Sequence, residues 1–225
     1  MERERYFNAI EFKDIKGIIY NSAKQFATNT AFILKHKKDK EVTYENITYK
    51  KLLRDINAFG TKLFQMGFKN KRIAIVGRNR YEWVIAHLSN LLGGIVSVPL
   101  DKELQVDELE SCLVRSKADV VVFDEKYIDN IEEIKRRGNT NLQEYICMAA
   151  REGYQNFWDL KEQGEKLLNA GEKEYTSAKI KEDELGILLF TSGTTSKSKA
   201  VMLSQHNIAS VSYTHLRAHE TDQYL

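Results

Sequence analysis

Four short apolar runs, and the order in which they occur, constrain this fold more than any other feature. RIAIVG (72–77), IVSVPL (95–100), DVVVF (119–123) and LGILLF (185–190) each have the length and composition of a buried strand. Helical periodicity fills much of the space between them. NRYEWVIAHLSNLLGG separates the first pair, with Asn79 placed to cap a helix and Gly93 and Gly94 placed to end it. VDELESCLVRS separates the next pair and repeats through Val106, Leu109, Cys112 and Leu113. Strands that alternate with helices pair in parallel through right-handed crossovers. The pattern therefore predicts an α/β fold: a doubly wound, mainly parallel sheet with flanking helices.

The segments on either side fit less sharply. Upstream, Ile15, Ile18, Ile19 and Phe26 make a helical stripe, AFILK a strand ending in the charged turn HKKDKE, and EVTY a second, short strand. Tyr49, Leu52, Leu53, Ile56, Phe59, Leu63 and Met66 then recur at helical spacing until Gly67 stops them. Beyond Tyr127 come a charged helix, a strand in YICMAA, and a surface helix in FWDLKEQGEKLLNAG with Phe157, Leu160, Leu167 and Leu168 turned inward.

Composition excludes several classes of function. With 34 Lys and Arg against 32 Asp and Glu, interspersed, no basic face for nucleic acid is expected. The opening MERERYFNAI lacks the apolar segment of a secretory signal, and no run of apolar residues is long enough to cross a membrane, so a cytoplasmic location is expected. Cys112 and Cys147 are far apart in apolar contexts and read as reduced core thiols. The dinucleotide fingerprint G-x-G-x-x-G is absent: Gly77 is followed by Arg78, Asn79 and Arg80, which disfavours hydride transfer.

The chemistry concentrates in TSGTTSKSK (191–199), nine residues of only Thr, Ser, Gly and Lys, held between LGILLF and AVML, both expected to be buried strands. Gly193 lets backbone N–H groups turn inward. The hydroxyls of Thr191, Ser192, Thr194, Thr195, Ser196 and Ser198 can donate to phosphate oxygens, and Lys197 and Lys199 add positive charge. A flexible linker would share this composition but has no reason to be clamped at both ends. Nor is it the nucleoside-triphosphatase loop G-x-x-x-x-G-K-(S/T), because Ser198 precedes Lys199 and an apolar run follows.

Residues 190–200 resemble the phosphate-binding signature of the adenylate-forming enzymes, (Y/F)-T-S-G-T-T-G-x-P-K-G, a superfamily that includes acyl-CoA synthetases, luciferases and peptide-synthetase adenylation domains. Ser196, Ser198 and Ala200 replace the usual Gly, Pro and Gly. GRNRYEW, followed by a small-residue pair and VPL, is similar to the bacterial long-chain fatty-acid–CoA ligases, with Arg78, Asn79 and Trp83 assigned to packing and capping. The resemblance covers about residues 10–210 and implies the incomplete large N-terminal domain of such an enzyme. It implies that Thr191, Ser192, Gly193, Thr194, Thr195 and Lys199 bind ATP, and that the complete enzyme also uses Mg2+ and CoA. The implied reaction is attack of a carboxylate, from a fatty acid, on the α-phosphate of ATP, followed by transfer of the acyl group to the CoA thiol. The catalytic and metal-binding motifs of the family come later than these residues, so none is assigned here and the fragment alone is expected to be inactive. Family members place a His where Gln205 stands; His206 and Asn207 are therefore read as polar caps of the next helix. Two other readings remain open: another adenylating enzyme, such as a peptide-synthetase domain or an acyl-carrier-protein ligase, and a non-catalytic binding module. Peripheral contact with a membrane follows only if the acid is long-chain.

The last residues have a different character. His215, His219 and Glu220 form H-x-x-x-H-E, which invites a zinc reading. Residues 211–220 can, however, be encoded by the transposon end and primer tail ligated to fragments in short-read sequencing. The expected organisation is a partial AMP-binding domain over 1–210 and a non-native tail over 211–225.

Overall fold

The computed structural model describes residues 10–38, 41–191 and 198–211. In chain order its elements are α1 (Ile15–Gln25), β1 (Thr30–Lys38), β2 (Glu41–Thr48), α2 (Tyr49–Gln65), β3 (Arg72–Val76), α3 (Tyr81–Gly93), β4 (Val96–Leu100), α4 (Val106–Ser116), β5 (Val120–Phe123), α5 (Ile128–Arg137), β6 (Glu144–Cys147), β7 (Gln155–Asn156), α6 (Phe157–Asn169), β8 (Leu185–Thr191) and β9 (Lys199–Ser204). Seven strands form one sheet in the order β7-β6-β5-β3-β4-β8-β9, parallel throughout except for β9, which runs antiparallel to β8. The expected doubly wound, mainly parallel sheet is the fold found.

Side-chain alternation along each strand makes two cores. Ile73, Ile75, Val120, Val122 and Ile146 face one way, into a cluster completed by α1, α2, α3 and α6. Ala74, Val76, Val121, Phe123, Val98 and Leu100 face the other, against α4 and α5. This division follows from the connections. The step from β3 to β4 and the return from β4 to β5 move in opposite directions across the sheet, so right-handed crossovers put α3 and α4 on opposite faces.

Close approaches fix how the first layer of helices stacks. A Cβ on Gly164 of α6 would lie 1.8 Å from the carbonyl oxygen of Ala58, so α2 and α6 approach backbone to backbone at that point. Tyr175 is buried in a slot floored by Gly60 and Gly93, where added Cβ atoms would lie 2.1 Å and 2.6 Å from its ring. Its hydroxyl donates to the Ser89 carbonyl at 2.8 Å, and its ring meets Phe64 edge-on.

Several expectations need correction. Asn79 does not cap α3: the N-cap is Arg80, in extended backbone and with no side-chain capping bond. The EVTY strand extends to Thr48 and pairs with β1 in a separate two-stranded hairpin, because alternate backbone pairing continues well past the apolar residues. Phe26 leaves the α1 stripe, standing at the C-cap and exposed. β9 is not a buried strand. Val201 and Met202 are exposed because β9 is the sheet's edge among the described residues. Leu167 and Leu168 are only half-buried; Gly164, with Phe157 and Leu160, makes the inner face of α6.

Candidate phosphate-binding hairpin

β4 and β8 run parallel with Ser97 opposite Ile187, so both leave the sheet at its carboxyl edge, where open α/β sheets take their ligands. β8 and β9 then pair in register up to Thr191 opposite Lys199. The Thr191–Lys199 pair is the last described pair of this antiparallel hairpin, at either end of the polar run read from sequence. Both residues are exposed, and the Thr191 hydroxyl donates to the Lys199 carbonyl at 3.5 Å. Ser192, Gly193, Thr194 and Thr195, with Ser196 and Lys197, lie outside the described residues. The pair at the hairpin's base thus presents one exposed hydroxyl and one exposed ammonium to solvent.

The second foot of the hairpin is gripped from α4. Arg115 Nη1 donates to the Ser198 carbonyl at 2.9 Å and to Ser198 Oγ at 3.3 Å, and its guanidinium lies 5.1 Å from the centre of the Phe190 ring on the neighbouring strand. Cys112 Sγ is 3.9 Å from Ser198 Oγ; burial pushes that thiol up, as expected of a reduced core cysteine. The sequence reading missed Arg115, which gives only the signal of a basic residue in a last helical turn.

Beyond β9 the chain turns at once into a helical segment, 205–211. Ser204 and Asn207 cap it reciprocally: Asn207 N donates to Ser204 Oγ at 3.2 Å and Ser204 N donates to Asn207 Oδ1 at 3.0 Å. The capping expected of Asn207 is found, whereas His206 contributes its backbone N–H, to the Glu182 carbonyl. Gln205 is buried, its amide donating to the Leu91 carbonyl at 2.9 Å and accepting from Ile15 N at 3.3 Å. It ties α1 and α3 to the end of the hairpin.

The carboxyl ends of β3 and β5 hold a second constellation. Arg78 donates to both carboxylate oxygens of Asp124, at 2.7 Å and 2.8 Å, and Arg80 bridges Glu82 and Glu125. Trp158 Nε1 donates to Glu82 at 3.1 Å. Burial alone would raise the Asp124 carboxyl, but hydrogen bonds from Arg78 and the Lys126 N–H, with the Arg charges, hold it below the usual carboxylate range. β3 and β5 send their connections to opposite faces, which would make this crevice the sheet's switch point. Paired charges fill it. The packing role expected of Arg78 and Trp83 fits these contacts; Trp83 stacks on His87. His87 Nδ1 bonds Ser97 Oγ at 2.8 Å, and burial pushes its pKa down to about 4. Among the described residues no three His, Cys, Asp or Glu are grouped to hold a metal ion, and no helix is long and apolar enough to cross a membrane.

An open, mainly parallel sheet covered by helices on both faces defines a doubly wound α/β protein. The chain belongs to the AMP-binding enzyme family, which it matches over residues 19–225. Among curated relatives, it is 27% identical over 216 residues to mouse (Mus musculus) long-chain-fatty-acid–CoA ligase 5, covering 88% of this chain and 31% of the relative. It is 27% identical over 175 residues to crotonobetaine/carnitine–CoA ligase of Salmonella arizonae, covering 75% and 32%. The chain thus spans about a third of the length of these relatives. In fold it is similar to a putative long-chain-fatty-acid CoA ligase from Rhodopseudomonas palustris, with a TM-score of 0.75 at 18% identity over 92% of this chain and 48% of the other. The anthranilate CoA ligase AuaEII, solved with anthranoyl-AMP, gives a TM-score of 0.69 at 20% identity over 88% and 36%.

Proposed function

We propose that this chain is the amino-terminal part of an ATP-dependent acid–CoA ligase whose substrate is a fatty acid. The observation that carries the reading is the TSGTTSKSK hairpin, based on Thr191 and Lys199 at the carboxyl edge of the sheet in a member of the AMP-binding family. A carboxylate resists thiol attack because its charge repels the nucleophile and oxide leaves poorly. ATP supplies the activating group and a good leaving group. The chain's part is to hold the β- and γ-phosphates: Thr191, Ser192, Thr194 and Thr195 through hydroxyl and backbone donors, Gly193 through its backbone, and Lys199 through its charge. Donors fixed where negative charge accumulates stabilise the transition state more than the bound substrate. By the same resemblance the Mg2+ ligands and the CoA-binding surface belong to later residues. The protein would work in the cytoplasm, touching a membrane surface only to collect a long-chain acid, and residues 211–225 would be foreign to its domain.

The test is to recover the continuous gene, express the complete protein and measure exchange of pyrophosphate into ATP with fatty, aromatic and amino acids. Exchange that depends on a fatty acid, with thioester formed on CoA, is expected. A protein that neither binds nor consumes a triphosphate with any acid overturns the proposal. Amplification of the locus bears on the tail: finding the codons of 211–220 in source DNA would make that segment native.

A further inference from the structure

We propose that Arg115 is a positioning residue for the phosphate hairpin, a clamp that stands in for the proline that this chain lacks at 198. The inference rests on the function proposed above for its catalytic consequence, and on the geometry alone for its structural one.

The family signature that residues 190–200 resemble carries Pro and Gly where this chain has Ser198 and Ala200. Proline fixes its own φ and restrains the residue before it, so a loop foot with proline is set by its covalent structure. Serine sets nothing of the kind. The restraint here comes from outside the hairpin instead. Arg115 reaches from the last turn of α4, binds the Ser198 carbonyl and Oγ together, and covers the Phe190 ring across the strand pair. A planar guanidinium can do all three at once, with Nη1 shared between the two oxygens and its face toward the ring. The contacts join α4 on the second face of the sheet to both strands of the hairpin, β8 through Phe190 and β9 through the residue just before Lys199. Lys199 is the cation at the base, so fixing Ser198 fixes where that cation is presented.

Arg115 is exposed, and among the described residues its hydrogen bonds go to Ser198 alone, which makes it replaceable without a buried vacancy. In the complete protein Arg115→Ala is expected to raise the KM for ATP in pyrophosphate exchange roughly threefold to tenfold, as for loss of one exposed cation–π contact and one charge-assisted hydrogen bond. It should also speed hydrogen exchange at the Thr191 and Lys199 amides. Arg115→Lys, which keeps the charge but not the planar group that covers Phe190 while bonding Ser198, should restore little of either. Adding Ser198→Pro to Arg115→Ala should return both toward the parent values, because the proline supplies the missing restraint within the chain. A structural role elsewhere would not be rescued by that change. Unaltered amide exchange in Arg115→Ala, or no rescue by Ser198→Pro, overturns the clamp. If exchange and rescue behave as stated while no nucleotide is consumed, the clamp stands and the ligase reading fails.

Discussion

Gly164→Ala sets two physical effects against each other and tests the packing that supports the sheet. Within a helix the change is favoured by about 1 kcal/mol, since alanine is the better helix former. In this structure the new Cβ would lie 1.8 Å from the Ala58 carbonyl oxygen and 2.7 Å from its carbon, where ordinary contact begins at 3.4 Å. Backbone cannot rotate away as a side chain would, so α6 must retreat from α2 by about 1.6 Å. That retreat opens the stacked Phe59–Phe157 pair, whose ring centres are 4.3 Å apart, and lengthens the Lys161–Asp55 contact of 3.3 Å. Overpacking of this kind costs about 3 kcal/mol or somewhat more, which leaves a net loss of about 2 kcal/mol after the helical gain. Urea unfolding followed by tryptophan fluorescence should read this directly, because Trp158 lies on α6. With a slope of about 2 kcal/mol per molar, the midpoint should fall by about 1 M, while Gln163→Ala on the exposed neighbouring position should leave it nearly unchanged. A midpoint for Gly164→Ala equal to or above the parent value would show that propensity rules and that the two helices do not approach as described.

Lys199→Ala in the complete enzyme should slow pyrophosphate exchange by about a hundredfold, the usual scale for losing one fixed donor to a charge that develops in the transition state; an unchanged rate would remove Lys199 from the site. Asp124→Asn should cost about 2 kcal/mol at pH 7, since it breaks a bidentate pair around a buried carboxylate. The folded Asp124 pKa lies below its unfolded value. Its contribution is therefore complete above about pH 4 and fades as the pH falls toward the folded pKa, so unfolding midpoints of parent and variant should converge at low pH. His87 titrates near 4 when folded against about 6.5 when unfolded, and the unfolded chain takes up the proton first. Stability should drop by about 3 kcal/mol as the pH falls from about 6.5 to 4, and His87→Gln should flatten that slope in urea titrations at several pH values.

The sheet was legible because its strands carry their burial in their composition. RIAIVG and DVVVF are apolar on both faces, as parallel strands covered by helices on two sides must be, and the glycines at 67 and 94 end their helices with positive φ. The hairpin's base was legible for a related reason, since a polar run between two apolar ones leaves few ways to be held. What was hidden depends on distance in sequence. Tyr175 sits in the polar stretch GEKEYTSAK, and only the stacking of α2 on α3 creates the slot it fills. Arg115 meets Ser198 across 83 positions, a contact that no local pattern encodes. The polar HKK of β1 likewise gives no alternation to read, so the length of its pairing with β2 came from the backbone alone.

Among the described residues β9 has one row of backbone donors and acceptors without a partner strand, beside the exposed side chains of Val201 and Met202. Such a rim is a template for a strand from another molecule. Handled as it stands, the chain should therefore show self-association that grows with protein concentration, and a charge placed at Met202 should suppress it without disturbing either core.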